Sequence, residues 1–275
     1  MDFYLGTHQP HWLAFSPYAL FVSHNRLFKR MTFPRAKSPW SLDSGGFTQI
    51  TKHGRFLHHP DLYAEYAKLY MAEIGNLSWA APQDWMCEPI ALKATGLTVR
   101  QHQLRTVENY QYLTTHHPEV PWVPVLQGWV LRDYLVCLRM YEHAGVEMRG
   151  RVVAVGSVCR RQSTREIGEI FSTLHAEGLA MHGFGVKIDG IKMYGHLLAS
   201  SDSLAWSATA RYQRRLEGCN HNGSCANCWR WAVKWRQEVM RAIGSSSGVV
   251  PRFSSPFGRR TGPSKSSVSS ASRSA

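Results

Sequence analysis

Three features are scarce in this sequence, and each scarcity excludes a class of protein. No apolar run approaches the roughly 20 residues of a membrane-spanning helix, so we expect no membrane association. The first ten residues, MDFYLGTHQP, lack a basic segment followed by a long apolar stretch, which argues against a secretion signal. The middle of the chain also lacks an obvious linker. We therefore expect a cytoplasmic protein with one large core.

Acidic residues are scarce relative to basic ones. The 275 residues include 32 Lys and Arg but only 19 Asp and Glu, a formal net charge of +13. Such a balance favours a polyanionic partner, because phosphates neutralised by basic side chains release their counterions. The alternative is that the excess belongs to a solvated surface and a basic tail. Charge alone favours nucleic acid as the partner.

Cysteines are few and unevenly distributed. Three are scattered and are best explained as small buried hydrophobic residues: Cys87, Cys137 and Cys159. The other three join a histidine in the pattern C-x-H-x₃-C-x₂-C: Cys219, His221, Cys225 and Cys228. Three thiolates and one imidazole suit a closed, tetrahedral zinc site with a structural role. The alternative is a group of free thiols beside an unrelated histidine.

The last segment of the chain differs from the rest in composition. Residues 244–275 are rich in Ser, Gly and Pro and contain five basic residues and no acidic one. Such a segment cannot bury enough apolar surface to offset the entropy of ordering, so we expect it to be disordered. It could hold nucleic acid loosely or be inert. Residues 1–243, including the cysteine cluster at 219–228, form the predicted folded domain.

Short apolar runs alternate with helical stretches throughout residues 1–243. The predicted strands are 3–6, 20–23, 40–43, 77–82, 122–128, 152–157, 183–187 and 197–202. Eight strands with intervening helices in a chain of this length are typical of an α/β protein with a TIM (β/α)₈ barrel. A doubly wound sheet would show the same alternation. The number of strands and the polar residues at their ends favour the barrel.

Polar residues follow the predicted strands at their C-terminal ends, where barrel enzymes place their active sites. They are Asp43, Asp84, Gln127, Gly156, Ser157, Lys187 and Asp202. Each alone has a structural explanation, since Asp is common in turns and helix caps. Together they indicate one rim that carries carboxylates and amides. Two carboxylates on one rim suit acid/base and nucleophilic chemistry at a sugar carbon.

The segment SLDSGGFTQI, residues 41–50, adds detail to this rim. Its two glycines would let the backbone approach a flat ligand closely. Phe47 could stack on the ring of that ligand, and Ser44 could hydrogen-bond its heteroatoms. A flat ring with polar edges is therefore the expected ligand.

In their order along the chain, these segments resemble the guanine-exchanging tRNA transglycosylase superfamily, in particular its DNA-modifying, DpdA-type branch. The matching segments are LDSGGF (42–47), APQDW (81–85), PVLQG (124–128), VGSV (155–158), SDSLAWSATAR (201–211) and CNHNGSCANC (219–228). The opening FYLGTHQPHWL and the later LFVSH are similar to phage and bacterial enzymes that insert deazaguanines into DNA. The resemblance covers roughly residues 1–240 and also implies a barrel.

The resemblance implies catalytic roles for two aspartates. Asp202 would be the nucleophile that attacks C1′ of a guanine nucleoside and forms a covalent glycosyl ester. Asp43 would donate a proton to the departing base and then accept one from the incoming base. Bacterial tRNA enzymes place the nucleophile in a Phe-Asp-Cys context, and that register would put it at Ala205. The archaeal-like register is preferred because it also matches Ala210 and Arg211.

The resemblance also implies substrate contacts and partners. Asp84 would accept hydrogen bonds from the amino and ring N–H edge of the purine, and Phe47 would stack on it. The carbonyl edge and remaining contacts would fall to Ser44, Gln127, Gly128, Gly156, Ser157 and Val158. The expected substrates are DNA and a 7-deazaguanine base such as 7-cyano-7-deazaguanine, with a homodimer and accessory modification proteins as further partners. The alternatives are exchange in tRNA and a non-catalytic zinc-containing module that binds nucleic acid.

Overall fold

A computed structural model describes residues 1–246 of the chain, with eight parallel strands in one sheet. The strands are Asp2–Thr7 (β1), Leu20–Ser23 (β2), Trp40–Asp43 (β3), Leu77–Ala80 (β4), Val125–Leu126 (β5), Val152–Val155 (β6), Ala180–Gly183 (β7) and Leu198–Ser203 (β8). Their order is β4-β3-β2-β1-β8-β7-β6-β5. The predicted α/β class is confirmed.

Helices connect most of the strands. The helices of the described residues are Gly46–His53 (α1), Pro60–Glu73 (α2), Pro89–Thr95 (α3), Val99–His116 (α4), Leu131–His143 (α5), Arg165–Ala176 (α6), Ile188–Tyr194 (α7), Ala205–Tyr212 (α8) and Trp229–Ser246 (α9). Short 3₁₀ helices cover Pro10–Ala14, His24–Arg26, Gly195–Leu197 and Cys225–Asn227. No helix within residues 1–246 is both long and apolar enough to cross a bilayer.

The chain that leads into β5 runs beside β4, the strand at the other end of the sheet order. Ala80 and Trp122 form a parallel bridge. The Ala80 amide donates to the Pro121 carbonyl at 3.0 Å, and the Val123 amide donates to the Ala80 carbonyl at 3.1 Å. The sheet is therefore curled, and its two ends meet through these backbone hydrogen bonds.

Alternate residues of the strands face two separate apolar clusters, as the period of a β-strand requires. On β1, Phe3 and Leu5 belong to the large core between the sheet and the helices. Tyr4 instead packs with Phe21, Trp79 and other side chains on the concave face. This concave cluster fills the inside of the curl, so polar side chains are left for its rim.

Two strands differ most from their predicted positions, and four others differ by one or two residues at an end. The seventh is Ala180–Gly183 rather than 183–187, because Gly185 adopts a left-handed φ of +65° and Lys187 is the N-cap of α7. The fifth is reduced to Val125–Leu126, since Pro121 and Pro124 cannot donate ladder hydrogen bonds. At the C-terminus, α9 continues to Ser246. The rest of the predicted disordered tail lies outside the described residues.

Candidate active site and metal cluster

Asp43 and Asp202 lie on the concave side of the sheet at the same rim. On β3, Trp40 and Leu42 face the helix-packed core, so Asp43 points to the opposite side. Asp202 is paired in register with Tyr4, which faces the concave cluster. The negative charge of Asp202 contributes to raising the pKa of Asp43, which shows that the two carboxylates interact electrostatically. The structure thus brings together two acids that are 159 positions apart in the sequence.

The environment of Asp43 favours its protonated form. Burial is the largest cause that raises the pKa of this carboxyl, and repulsion from Asp202 adds to it. A hydrogen bond from Ser23 and one from the Gly45 amide act in the opposite direction but do not cancel the rise. A carboxyl whose protonated form is favoured in this way is suited to donate a proton and then accept one back.

One oxygen of Asp202 has a hydrogen-bond donor and a histidine nitrogen close to it. The Gly185 amide donates to Oδ1 at 2.9 Å. The Nε2 atom of His182 lies 3.4 Å from the same oxygen, and its Nδ1 atom lies 2.8 Å from the Ser200 hydroxyl. Because Oδ1 is occupied, Oδ2 is the oxygen available to a ligand. Ala205, the alternative nucleophile position, is the first residue of α8 and carries no functional group.

His182 is a site residue that the sequence analysis missed. It is fully buried among the rings of Tyr4, Phe21, Trp79 and Phe184. The seventh strand was predicted to begin at residue 183, so this histidine fell outside it. A histidine at an inward-facing position of a strand, just before a glycine turn, is the signal that could have identified it.

Asp84 is the centre of a buried hydrogen-bond network. The Ser44 hydroxyl donates to its Oδ1 at 3.1 Å, and the Gln127 side-chain amide donates to its Oδ2 at 2.6 Å. Burial, followed by the negative charge of Asp43, raises the pKa of Asp84 to about 7, despite these two hydrogen bonds. The structure therefore brings together four residues, Asp43, Ser44, Asp84 and Gln127, that were predicted from three separate segments.

The network continues from Gln127 to Ser157. The Ser157 hydroxyl lies 2.7 Å from the Gln127 Oε1 atom and 3.0 Å from an oxygen of Glu88, and it accepts the Cys87 amide at 2.8 Å. Ser157 has a φ of +58°, a conformation that is uncommon for residues other than glycine. Such strained positions cluster at functional sites. Glu88 did not emerge from the sequence, because a Glu that precedes Pro resembles an ordinary helix cap.

The glycine turn after β3 has a specific steric reason. Gly45 has a φ of +75°, and a side chain there would collide with Asn25. Asn25 instead donates to the Gly45 carbonyl at 2.9 Å and accepts from Gln49 at 3.0 Å. Phe47 lies at the rim, 37% exposed, with the Arg160 guanidinium 4.9 Å from its ring centroid. The turn therefore fixes Asp43 and Ser44 while leaving Phe47 open to solvent.

The remaining predicted contacts differ in what they offer to a ligand. Gly156 is required because a side chain would collide with Gln127, and Gly128 because one would collide with Tyr134. The Val158 side chain packs between sheet and helices, so only its backbone could contact a ligand. Lys187 is exposed and lies beyond the end of β7.

Three further basic groups gather next to the rim. His8 follows β1, Arg26 ends the 3₁₀ helix after β2, and Arg211 is in the last turn of α8. Burial, followed by the positive charges of Arg26 and Arg211, lowers the pKa of His8 to about 4. Arg26 and Arg211, with the uncharged His8 beside them, therefore form a positive patch on the β8-β1-β2 side of the site, and the three residues are called here the rim patch.

The cysteine cluster has the geometry of a metal site. The ligand atoms of its four residues all lie within 4.8 Å of one another: Cys219, His221, Cys225 and Cys228. Individual separations are 3.7 Å between the sulfurs of Cys219 and Cys228 and 3.5 Å between the Cys225 sulfur and the His221 Nε2 atom. Tetrahedral zinc with bonds of about 2.3 Å would separate two sulfurs by about 3.8 Å. The cluster could therefore bind a metal ion such as zinc.

The chain matches a protein-family model over nearly its whole length. The model is described as DpdA, deoxypurine in DNA protein A, and it covers residues 1–258. A search of curated proteins found no match. The matched range includes every residue of the rim, the rim patch and the cysteine cluster.

Proposed function

The chain belongs to the DpdA family, as its motifs predicted, and we propose that it exchanges guanine in DNA for a 7-deazaguanine base such as 7-cyano-7-deazaguanine. The observation that carries the proposal is the meeting of Asp43, Asp84 and Asp202 at one rim. Pairing of Ala80 with Trp122 supports a closed (β/α)₈ barrel around this rim. The activity is that of a pentosyltransferase.

The proposed reaction proceeds in two displacements at C1′ of the nucleotide. In the first, the free oxygen of Asp202 bonds to C1′ while the bond to guanine breaks, and Asp43 gives its proton to the leaving base. In the second, Asp43 takes a proton from the incoming base, whose nitrogen bonds to C1′ and releases Asp202. The transition state resembles an oxocarbenium ion, which a carboxylate beneath the sugar stabilises. One glycosidic bond replaces another, so no energy source is needed.

Asp84 and Gln127 match the edge of a guanine-like base. An ionised Asp84 accepts from the ring N–H and the amino group, the two donors that guanine and 7-deazaguanine share. Gln127 uses one N–H on Asp84 and retains a second for the 6-oxo group. Adenine presents the opposite pattern and would leave these buried groups unpaired, which is a strong means of rejection.

The rim patch supports a nucleic-acid substrate. His8, Arg26 and Arg211 follow β1, β2 and β8, and β8 is the strand that carries Asp202, so the phosphates that flank the reacting sugar would pass on this side of the site. The sugar carbon C1′ of a nucleotide stacked in a duplex cannot reach the buried Asp202. The nucleotide must therefore be flipped out of the duplex or lie in a single strand. Exchange in tRNA is the alternative, and the family match favours DNA.

Zinc held by the cysteine cluster would have a structural role. Four protein ligands leave no open coordination position, so the ion would not contact the substrate. The cluster includes the 3₁₀ helix Cys225–Asn227 and ends just before α9, so the ion would fix the chain between α8 and α9. Ser207 of α8 donates to the Ala226 carbonyl at 2.7 Å, which links the cluster to the helix after Asp202.

The test of the proposed function is a comparison of polymers. The protein is incubated with radiolabelled guanine and either duplex DNA or tRNA, and the label in each polymer is counted. We expect label in DNA and none in tRNA. Label in tRNA alone would replace the proposal with its RNA alternative. If neither polymer takes up label and the protein still binds DNA, the protein is a non-catalytic binding module.

The raised pKa of Asp84 predicts a cost in stability that rises with pH. Below an ordinary pKa of 3.8 the carboxyl is protonated in both states and has no effect. Between 3.8 and about 7 it ionises only in the unfolded chain, so folding becomes progressively less favourable. Above pH 7 the cost reaches on the order of 4 kcal/mol, given about 1.4 kcal/mol for each pKa unit.

Asp84→Asn is therefore expected to raise the melting temperature at pH 8 and to give no gain near pH 4. The neutral amide keeps the shape, and the Ser44 hydroxyl can reverse to accept from it. The matched control is Asp61→Asn, since hydrogen bonds from His117 and Tyr112 lower the pKa of Asp61, and its loss should destabilise at pH 8. Thermal scans at both pH values check this. An Asp84→Asn protein less stable than wild type at pH 8 would contradict the prediction.

A further inference from the structure

Glu88 is a buried acid to which the proposed reaction gives no role. It is only 5% exposed and lies in the loop between β4 and α3. It occupies the N-cap position of α3, yet its side chain makes no capping hydrogen bond. Arg161, which could have neutralised it, pairs with Glu166 at 2.7 Å instead. Neither capping nor an ion pair therefore explains why a carboxyl is placed here.

The donors and acceptors around the Ser157 hydroxyl indicate the role of Glu88. A serine hydroxyl has one proton to donate and two lone pairs to accept. One lone pair accepts the Cys87 amide, and the two other neighbours are oxygens, Gln127 Oε1 at 2.7 Å and Glu88 Oε2 at 3.0 Å. Ser157 cannot donate to both. With the Gln127 amide oriented by its hydrogen bond to Asp84, all three contacts are satisfied when Ser157 donates to Gln127 and a protonated Glu88 donates to Ser157.

The orientation of the Gln127 amide depends on whether Ser157 donates its proton to Gln127 or to Glu88. With Oε1 held by Ser157, the amide nitrogen faces Asp84, as the 2.6 Å hydrogen bond requires. A flipped amide would place its oxygen against the Asp84 carboxylate and would offer no N–H to the 6-oxo group of a purine. An ionised Glu88 would attract the single Ser157 proton and release Gln127 from this arrangement.

We propose that Glu88 is a positioning residue whose protonated form, acting through Ser157, fixes the Gln127 amide so that it presents N–H to the 6-oxo edge of the purine. This inference rests on the proposed function. It deepens that function by making recognition of a 6-oxo purine depend on the protonation of an acid that does not touch the base.

The groups that face Glu88 are consistent with a neutral carboxyl. Burial is the largest influence and raises its pKa, whereas the charges of Arg160 and Arg161 only moderate the rise. Its other titratable neighbours are groups that are neutral when protonated: Cys87, Cys159 and Tyr134. The network also joins it to Asp84 through Ser157 and Gln127.

The first test is infrared spectroscopy of the free protein, which needs no catalytic activity. The difference spectrum of wild type minus Glu88→Gln is recorded at pH 7. We expect it to contain the C=O stretch of a protonated carboxyl. A pair of carboxylate bands in its place would overturn the inference, whatever the protein's activity. Glu73→Gln, an exposed acid at the end of α2, serves as the control that should show carboxylate bands.

The second test is the affinity for free guanine, measured by calorimetry at pH 7. Glu88→Gln should bind within about threefold of wild type, because its amide donates to Ser157 as a protonated acid does. Ser157→Ala should bind about tenfold more weakly, since Gln127 loses the donor that orients it. Raising the pH until the infrared signal of Glu88 titrates should weaken binding to wild type more than binding to Glu88→Gln, because the ionisation of Asp84 is common to both proteins.

The outcomes separate the inference from the function on which it rests. If wild type binds guanine tightly and Glu88→Gln binds it tenfold more weakly, the site needs an anion at residue 88. That result would overturn the inference but not the proposed function. Wild-type binding by Ser157→Ala would also overturn it. Wild-type protein that binds no guanine would overturn the proposed function and the inference together.

Discussion

Asp202→Asn is expected to lower the rate of base exchange in DNA by about 10⁴-fold, the typical cost of removing an essential catalytic group. An amide has almost the same shape as a carboxylate, so the Gly185 amide, 2.9 Å from Oδ1, can still donate to it. It carries no charge to stabilise the oxocarbenium-like transition state and is a poor nucleophile. The rate of labelled guanine uptake by duplex DNA, at saturating DNA, measures this effect.

The control for this variant is Asp189→Asn. Asp189 is an exposed residue in the first turn of α7, thirteen positions before Asp202, and it is not one of the rim residues named above. We expect its exchange rate to equal that of wild type. Asp202→Asn protein that folds, melts normally and exchanges bases within tenfold of the wild-type rate would rule out the nucleophile assigned here.

Loss of the metal cluster is expected to have the largest effect on stability. Four zinc ligands together contribute roughly 10–16 kcal/mol in small zinc domains, so removal of one should cost about 3 kcal/mol or more. Cys225→Ser removes a buried ligand, and we expect it to lower the melting temperature by roughly 10 °C. A chelator should have the same effect on wild type but not on Cys225→Ser. Thermal scans with and without chelator measure both.

Zinc content distinguishes this effect from ordinary damage to a core. Cys137 is equally buried but lies far from the cluster along the chain, on α5. Cys137→Ser should lose some stability through the buried hydroxyl, yet keep one equivalent of zinc and remain sensitive to chelator. Cys225→Ser protein with a full equivalent of zinc and a wild-type melting temperature would contradict the structural role of the ion.

The parts of the fold that were predictable are those where several local signals agree. Strand β3, Trp40–Asp43, was predicted to the residue, because Pro39 precedes it and the Gly45-Gly46 turn follows it. Alternation along that strand also placed Asp43 opposite the core-facing Trp40 and Leu42. A glycine turn that follows an inward acid is therefore informative without any alignment.

The prediction of the seventh strand failed because two signals conflicted. Phe184, Val186 and their neighbours resemble a strand, but Gly185 adopts a conformation that ends one. The strand lies three residues earlier, where Met181 pairs in register with Val153 of β6. This displacement concealed His182, so an error in local structure became an error about the site.

Other features of the site depend on contacts that no local pattern encodes. The network of Asp84, Gln127, Ser157 and Glu88 joins three loops, and its members are separated by up to 73 positions. The sequence analysis grouped three of them by their order along the chain and by family resemblance. Only the folded chain shows which atoms meet, and only those atoms reveal that one proton is shared among competing acceptors.

The most direct measurement of the central claim is the mass of the enzyme after reaction with DNA in the absence of an incoming base. A guanine-containing duplex is mixed with the protein, the reaction is quenched with acid, and the linked peptide is sequenced by mass spectrometry. We expect a deoxyribose ester on Asp202, with free guanine released in equal amount. An adduct on another residue, or guanine exchange that proceeds with no adduct at any time, would contradict it.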